Sequence, residues 1–219
     1  MTDADPDRPQ PRRERRGRFE AVHLWASTAA GVVALGISLY NFSVLQRQPD
    51  IDVALPHLVR IEPRAPGGNV HLFLQPTISS RVRTEDVEIV TDAELRLSPA
   101  GSAGKAPQFY WDESGAWAYE HASNRLSYQR TSDPSPLVIS QGSPQQPTIL
   151  FNSHAWTIRP GRYDGVLVLH RASSPDAVEK RFCVTLSAEA VNTFTASAER
   201  TFFELRNDVP ATPGPCYTF

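Results

Sequence analysis

The chain has 219 residues, enough for one ordinary domain with an anchor and a tail but too few for two large domains. Its net charge of −2 is unevenly spread: residues 1–20 carry six arginines and five acids, whereas residues 50–219 carry 15 basic and 19 acidic side chains. The mildly acidic outer part disfavours contact with a phosphate backbone, so we expect no nucleic acid partner.

The first 20 residues are polar, contain three prolines and show no apolar periodicity. Such a segment cannot bury enough apolar surface to offset the entropy of folding. We therefore expect residues 1–20 to form a disordered basic tail in the cytoplasm, with its arginines close to anionic lipid headgroups.

Residues 21–46 contain no Asp, Glu, Lys or Arg. About 25 helical residues rise about 37 Å, which is enough to cross the roughly 30 Å hydrocarbon layer of a membrane. The sequence therefore predicts a single transmembrane signal-anchor helix over residues 21–46, with the lipid bilayer as its partner.

The charges beside this segment predict its direction. Six arginines precede it and only Arg47 closely follows it, so the positive-inside rule places the N-terminus in the cytoplasm and residues 47–219 outside the cell membrane. A cleaved signal peptide has the same order of basic and apolar residues and is the alternative. The apolar run continues through Val44, which favours the anchor.

Small residues recur every four positions in the anchor, at Ala26, Ala30, Ala34 and Ser38. This spacing lines one side of a helix and predicts close packing against another membrane protein or a second copy of this chain. The alternative is that alanine is simply common in this sequence.

Beyond residue 47, short runs of β-branched, aromatic and leucine residues are separated about every ten positions by Pro, Gly, Ser and Asn. This pattern predicts an all-β fold, an antiparallel β-sandwich. The clearest strand, 87–97, alternates apolar and polar residues, which predicts a solvated face carrying Glu88, Asp92 and Glu94. We favour this over a calcium site because the carboxylates are spread along the strand.

Five aromatic residues lie between Phe109 and Tyr119. The favoured interpretation is a β-hairpin that turns near Asp112–Gly115 and fills the core with its aromatic rings. The functional alternative is an exposed platform for a sugar or peptide, for which the candidate binding residues are Tyr110, Trp111, Trp117 and Tyr119.

The stretch Trp156–Tyr163, followed by an apolar run from Gly165 to Leu169, resembles the tyrosine corner of immunoglobulin-like and fibronectin-like sandwiches. The resemblance implies that the Tyr163 hydroxyl bonds to a backbone group just upstream. Gly165 stands where antibody domains have a cysteine. The resemblance concerns fold alone, because such sandwiches have many functions.

Cys183 and Cys216 are the only cysteines, and in an exported domain an even number favours a disulfide. Phe182, Val184 and Leu186 alternate with Cys183 and are expected to face the core, which leaves Cys183 on the opposite face of the strand. We therefore expect the bridge to tie the C-terminal tail to the exterior of the sheet. The alternative is two free thiols.

We identify no catalytic or metal-binding pattern. Five histidines follow the anchor without metal-ligand spacing, and Ser153 and His154 are neighbours that would face opposite sides of a strand. We therefore expect no enzymatic activity, no metal and no cofactor. The predicted function is that of a membrane-anchored extracytoplasmic interaction or assembly module, and the alternative is a glycan-binding or small-ligand-binding domain.

Overall fold

The structure of the protein is a computed structural model. It describes residues 12–46, 49–63, 69–81, 86–101, 107–122, 124–154, 156–197, 202–209 and 215–219. The chain divides into two compact units, Met1–Arg47 and Gln48–Phe219.

The first unit contains one α-helix, α1 (Arg12–Leu45). Its segment Val22–Leu45 has 24 residues, a mean hydropathy of 1.6 and no buried position. At 1.5 Å per residue this segment is about 36 Å long, so it is long and apolar enough to span a membrane. The hydroxyls of Ser27 and Thr28 donate to the carbonyl of Leu24 at 2.9 and 2.8 Å, so the helix itself provides partners for these polar groups.

The helix begins before the predicted span. We expected residues 1–20 to be a disordered tail, but the chain is helical from Arg12 onward, and the remainder of that tail lies outside the described residues. Residues 12–20 consist largely of Arg and Glu, which have high helix propensity, and contain no proline after Pro11.

The second unit is mostly β. Its elements are β1 (Ile51–Ala54), β2 (Leu58–Pro63), β3 (Val70–Leu74), β4 (Thr77–Ser80), β5 (Glu88–Pro99), β6 (Gln108–Glu120), β7 (Arg125–Ser132), β8 (Leu137–Ile139), β9 (Thr148–Ser153), β10 (Gly161–Arg171), β11 (Val178–Leu186), α2 (Ala188–Ala196), β12 (Phe203–Arg206) and β13 (Tyr217–Thr218). Helix α2 begins after Ser187, whose hydroxyl accepts from the Ala190 amide at 3.0 Å.

The sheet closes on itself. Eleven strands are ordered β7-β6-β9-β3-β2-β12-β13-β11-β10-β5-β8, and β6 pairs again with β5, which makes a closed barrel of the nine strands from β6 through β5. Strands β1 and β4 pair separately. The predicted all-β class is confirmed, but the fold is barrel-like and the immunoglobulin-like sandwich is not confirmed.

The core lies inside this barrel and is built by alternate residues of neighbouring strands. One row across four strands consists of Trp111, Phe151, Leu72 and Ile61, each at most 5% exposed. Strands β3 and β9 are unusual because every residue in them is buried, on both faces. A second layer must therefore cover the outer face of these two strands.

Strand β5 departs from the predicted alternation at its first residues. Its pairing with β10 shifts register between His170 and Arg171, opposite Val90 to Asp92. Such an irregularity reverses the parity on one side of it. Consequently Glu88 is buried, at 1% exposure, and the predicted solvated face that included Glu88 begins only at Asp92.

Tyr163 forms the local contact that the tyrosine-corner resemblance implies. Its ring is buried at the start of β10, and its hydroxyl donates to the Arg159 carbonyl at 2.8 Å and accepts from the Arg159 amide at 3.3 Å. This contact occurs in a barrel, so it does not distinguish a barrel from a sandwich.

We expect Tyr163→Phe to lower the free energy of unfolding by about 1–2 kcal/mol, because the ring stays in place while a buried hydrogen bond is lost. Urea denaturation of the full chain measures the change. Tyr119→Phe is the control, since that ring is 49% exposed. An equal loss in both variants would contradict a special role for Tyr163.

The predicted disulfide between Cys183 and Cys216 is present, with Cα atoms 4.6 Å apart. The expected position of the tail was wrong. Tyr217 and Thr218 form β13 between β11 and β12, so the C-terminal segment completes the sheet rather than lying on its exterior. Tyr217 is 1% exposed because its ring belongs to the core.

Candidate functional site

The outer face of β3 and β9 is covered by the second half of β6 together with β7. The Phe73 ring lies on this face, with ring centroids 5.1 Å from Trp117 and 4.8 Å from Tyr128. Phe202 adds a fourth ring, 4.9 Å from Trp117. Three of these rings, Phe73, Tyr128 and Phe202, line a groove of about 570 Å³, which we call the outer groove.

A row of polar residues crosses the outer face in register. The pairings run from Glu94 in β5 through Tyr110 in β6, Asn152 in β9 and His71 in β3 to Glu62 in β2. Side chains directly opposite in neighbouring strands lie about 5 Å apart, so such a row allows continuous polar contact. These five residues are separated by up to 90 positions in the sequence, and only the sheet brings them together.

The middle of this polar row is buried. Glu62, His71 and Asn152 are 6%, 8% and 5% exposed. The His71 Nδ1 atom lies 3.0 Å from a Glu62 carboxylate oxygen, and the Asn152 amide nitrogen donates to Asp112 at 3.0 Å. Buried polar groups are costly unless they are hydrogen-bonded, so these contacts hold the outer face in one arrangement.

A β-bulge turns two acidic neighbours toward the outer groove. The pairing of β6 with β9 shifts register between Trp111 and Glu113, and as a result Asp112 and Glu113 both line the groove. In a regular strand they would face opposite sides. Burial, and next the charge of Asp112, raise the pKa of the Glu113 carboxyl, and Arg130 opposes this from 3.4 Å.

Tyr128 lies across β6 because position 115 has no side chain. A Cβ atom at Gly115 would be 2.4 Å from the Tyr128 ring and 2.5 Å from the Gln129 carbonyl oxygen. Burial, and next the charge of Glu113, raise the pKa of the Tyr128 phenol. Its hydroxyl is buried and has no hydrogen-bond partner among the described residues.

We expect Gly115→Ala to lower the free energy of unfolding by about 2 kcal/mol, since the added methyl group meets a ring and a backbone oxygen and one of them must move. Denaturation in urea gives the magnitude. Ala118→Ser, at a half-buried position of the same strand, is the control. If Gly115→Ala is as stable as the parent protein, the close approach of Tyr128 is not required.

Trp117 carries a cation on its face. The Arg60 guanidinium lies 4.3 Å from the centre of the Trp117 ring and donates to Glu204 at 2.9 Å. Arg60 and Trp117 thus belong to one packed arrangement on the outer face.

A second hollow lies at the β5 and β6 end of the polar row, where Glu94 and Tyr110 line it. It has a volume of about 730 Å³, and its lining includes Tyr110, His154 and Trp156. The Tyr110 hydroxyl and His154 Nε2 are 2.8 Å apart, and His154 Nδ1 is 2.8 Å from the side-chain oxygen of Asn69. Tyr110 is 41% exposed, so its ring is accessible in this hollow.

The four candidate aromatic residues do not form one platform. The predicted hairpin turn near Asp112–Gly115 was wrong: β6 continues from Gln108 to Glu120, and the chain reverses only after Glu120. Trp111 lies in the core, Trp117 packs against Phe73 on the outer face, and Tyr110 and Tyr119 are exposed. The bulges at 111–113 and 114–115 separate them, because each changes which way the following residues face.

Sequence reasoning missed Glu62, His71 and Asn152. The available signal was a polar residue inside or directly after an apolar run, as in Val70-His71-Leu72 and Leu150-Phe151-Asn152. In the residues that the structure describes, no three or more His, Cys, Asp or Glu side chains are placed to hold a metal ion. Ser153 is buried and His154 is exposed.

Comparison with known proteins identifies no family for this chain. No protein-family model matches the chain, and the search of curated proteins found no significant match. Among solved structures, the sporulation control protein Spo0M from Bacillus subtilis is similar with a TM-score of 0.29 and 11% identity. The match covers 65% of this chain and 50% of that protein, so the chain spans about half of its length.

Proposed function

We propose that the protein is a single-pass membrane protein whose β-domain acts outside the cytoplasm as an interaction or assembly module. The observation that carries this proposal is the apolar segment of α1, 24 residues with no buried position, in the same chain as a compact β-domain. An apolar helix that the described residues leave uncovered needs lipid or a partner helix to exclude water.

Two observations support the orientation. The six arginines before the apolar segment favour a cytoplasmic N-terminus, and the disulfide Cys183–Cys216 favours an oxidising compartment for the β-domain.

Protease treatment of intact and permeabilised cells tests the topology. We expect the β-domain to be cleaved in intact cells and an N-terminal tag to be cleaved only after permeabilisation. Purification in mild detergent then tests the interaction role, with co-purification of another membrane protein or self-association as the expected result. A β-domain recovered free from the membrane with the apolar segment removed would show a cleaved signal peptide and overturn the anchor.

The anchor is expected to contribute to that association through its small residues. Replacing Ala30 and Ala34 with leucine keeps the helix apolar but prevents a partner backbone from approaching closely, so we expect detergent cross-linking of the anchor to fall several-fold. The control is leucine at Ala29 and Val33, on a different side of the helix. Equal cross-linking in the two variants would contradict the packed face.

The second candidate function is binding of a glycan or small ligand, favoured by the hollow beside Tyr110. An accessible ring whose hydroxyl is positioned by His154 is suited to stacking on a sugar. Pull-down with cell-wall glycan is the test, with Tyr110→Ala expected to lose binding and Tyr119→Ala to keep it. Absence of binding by the parent protein would exclude this function for that glycan.

A further inference from the structure

Strand β7 forms an open edge of the sheet. It is last in the strand order, and its pairing partner among the described residues is β6. In the part of the chain that the structure describes, no backbone hydrogen bond outside the strand ladders involves residues 125–132. One side of β7 therefore presents backbone N–H and C=O groups to solvent, and such an edge is a template for another strand.

The opposite edge of the sheet is more restricted. Strand β8 has three residues and lies between Pro136 and the bridge that joins Ser140 to Ser143. Short length and a neighbouring proline both limit pairing at an edge. Strand β7 has eight residues and contains neither proline nor lysine, the residues that commonly protect edges. The chain thus restricts one edge and leaves the other open to pairing.

Charges at the two ends of β7 favour a second copy of this chain as the partner. Arg125 begins the strand, and Asp133 directly follows its last residue. Arg130, the other charged residue of the strand, is already held by Glu113 at 3.4 Å. When two copies of β7 pair in antiparallel fashion, the start of each lies beside the end of the other, so Arg125 meets Asp133 at both ends. Parallel pairing would instead bring like charges together.

This contact also defines the register of the pair. Arg125 opposite Asp133 places the two-fold axis at Gln129, midway between them, and no two like charges are then opposite each other. All three side chains are exposed. The bulge of β7 at Thr131 lies opposite Ser127 of the other copy, whose small side chain leaves room for it.

We propose that two copies of the protein associate by antiparallel pairing of their β7 edges, with the two-fold axis at Gln129 and an ion pair between Arg125 and Asp133 at each end. The pairing joins the two β-domains through one shared sheet. This inference rests on the proposed assembly role, to which it gives a partner and a surface, and it does not depend on the anchor.

Disulfide cross-linking of the full chain in mild detergent tests the pairing. Gln129→Cys places two thiols opposite each other, with Cβ atoms about 5 Å apart, and is expected to give a dimer on a non-reducing gel. Ser127→Cys is the matched control, because it is exposed on the same strand but lies about 13 Å along the strand from its counterpart in the other copy. We expect at least tenfold less dimer from the control.

Reversal of the charges in the Gln129→Cys background tests the ion pair. Arg125→Asp alone puts two like charges opposite each other and is expected to lower the amount of dimer at least threefold. Arg125→Asp together with Asp133→Arg restores opposite charges and is expected to restore the dimer. Urea denaturation verifies that each variant is folded.

Copies that associate only through the anchor, or that bind a strand of a different protein at this edge, would give no Gln129→Cys dimer. Either outcome would overturn the β7 pairing while leaving the assembly role itself intact. Equal cross-linking of Gln129→Cys and Ser127→Cys, or a folded double variant that stays as weak as Arg125→Asp alone, would overturn the register and its ion pair.

Discussion

Serine at both Cys183 and Cys216 is expected to lower the free energy of unfolding by about 3–4 kcal/mol. The cysteines are 33 positions apart, and in the chain-entropy model a closed loop of this size stabilises by about that amount by restricting the unfolded chain.

Removal of the disulfide is also expected to destabilise the short strand β13 beside it. Strand β13 has two residues, pairs with β11 in parallel and with β12 in antiparallel orientation, and directly follows Cys216. Few hydrogen bonds hold so short a strand, and Tyr217 adds a contact with the Pro56 carbonyl. Without the disulfide we expect the barrel to open between β11 and β12 before it unfolds elsewhere.

Urea denaturation and hydrogen exchange of the full chain measure both effects. The double serine variant should lose stability and show faster exchange at Tyr217 and at Val184, its partner in β11. The parent protein under reducing conditions is the control and should behave like the variant. An unchanged denaturation midpoint would mean that β13 holds its place without the bridge.

The sequence predicted those features that depend on short stretches of chain. The apolar segment at 21–46 and the Tyr163 contact each depend on residues close together in the chain. A continuous run of apolar residues predicts the first, and a short local pattern that ends in a tyrosine predicts the second.

Closure of the barrel could not be predicted in this way. It depends on the pairing of β5 with β6 and on the insertion of β13, and neither leaves a local pattern that differs from that of a sandwich. Strand number and alternation are the same in both folds, because each has one buried and one outer face.

The residues of the candidate site could not be predicted from the sequence for a related reason. Bulges at Asp112 and near Val90 each reverse the side to which the following residues point, and strict alternation across them predicts the wrong face. Strands buried on both sides, β3 and β9, also place His71 and Asn152 in a second packed layer. That layer exists only because β6 and β7 fold over it.

Glu88→Ala is expected to lower the free energy of unfolding by about 3 kcal/mol. The carboxylate is 1% exposed and accepts hydrogen bonds from the Ile89 amide at 3.0 Å and the Ser173 amide at 3.3 Å. It also accepts from the Ser173 hydroxyl and lies 4.0 Å from Arg171. Alanine removes the buried acceptor that these donors share, which costs more than the loss of an exposed ion pair.

The same contacts fix the connection between β10 and β11. The Ala172 amide donates to the Ile89 carbonyl at 2.9 Å, so Glu88 and Ile89 together hold the beginning of this loop against β5. We therefore expect the alanine variant to show faster hydrogen exchange at Ala172 and Ser173 even where the rest of the barrel keeps its protection.

Glu94→Ala is the matched control on the same strand. The Glu94 side chain is 38% exposed and pairs with Arg96 at 2.9 Å, and exposed pairs of this kind contribute at most about 1 kcal/mol. Urea denaturation of the three proteins compares the two positions directly. Equal losses for Glu88→Ala and Glu94→Ala would show that Glu88 lies on a solvated face, as the simple alternation of 87–97 predicts, and would contradict the bulge that buries it.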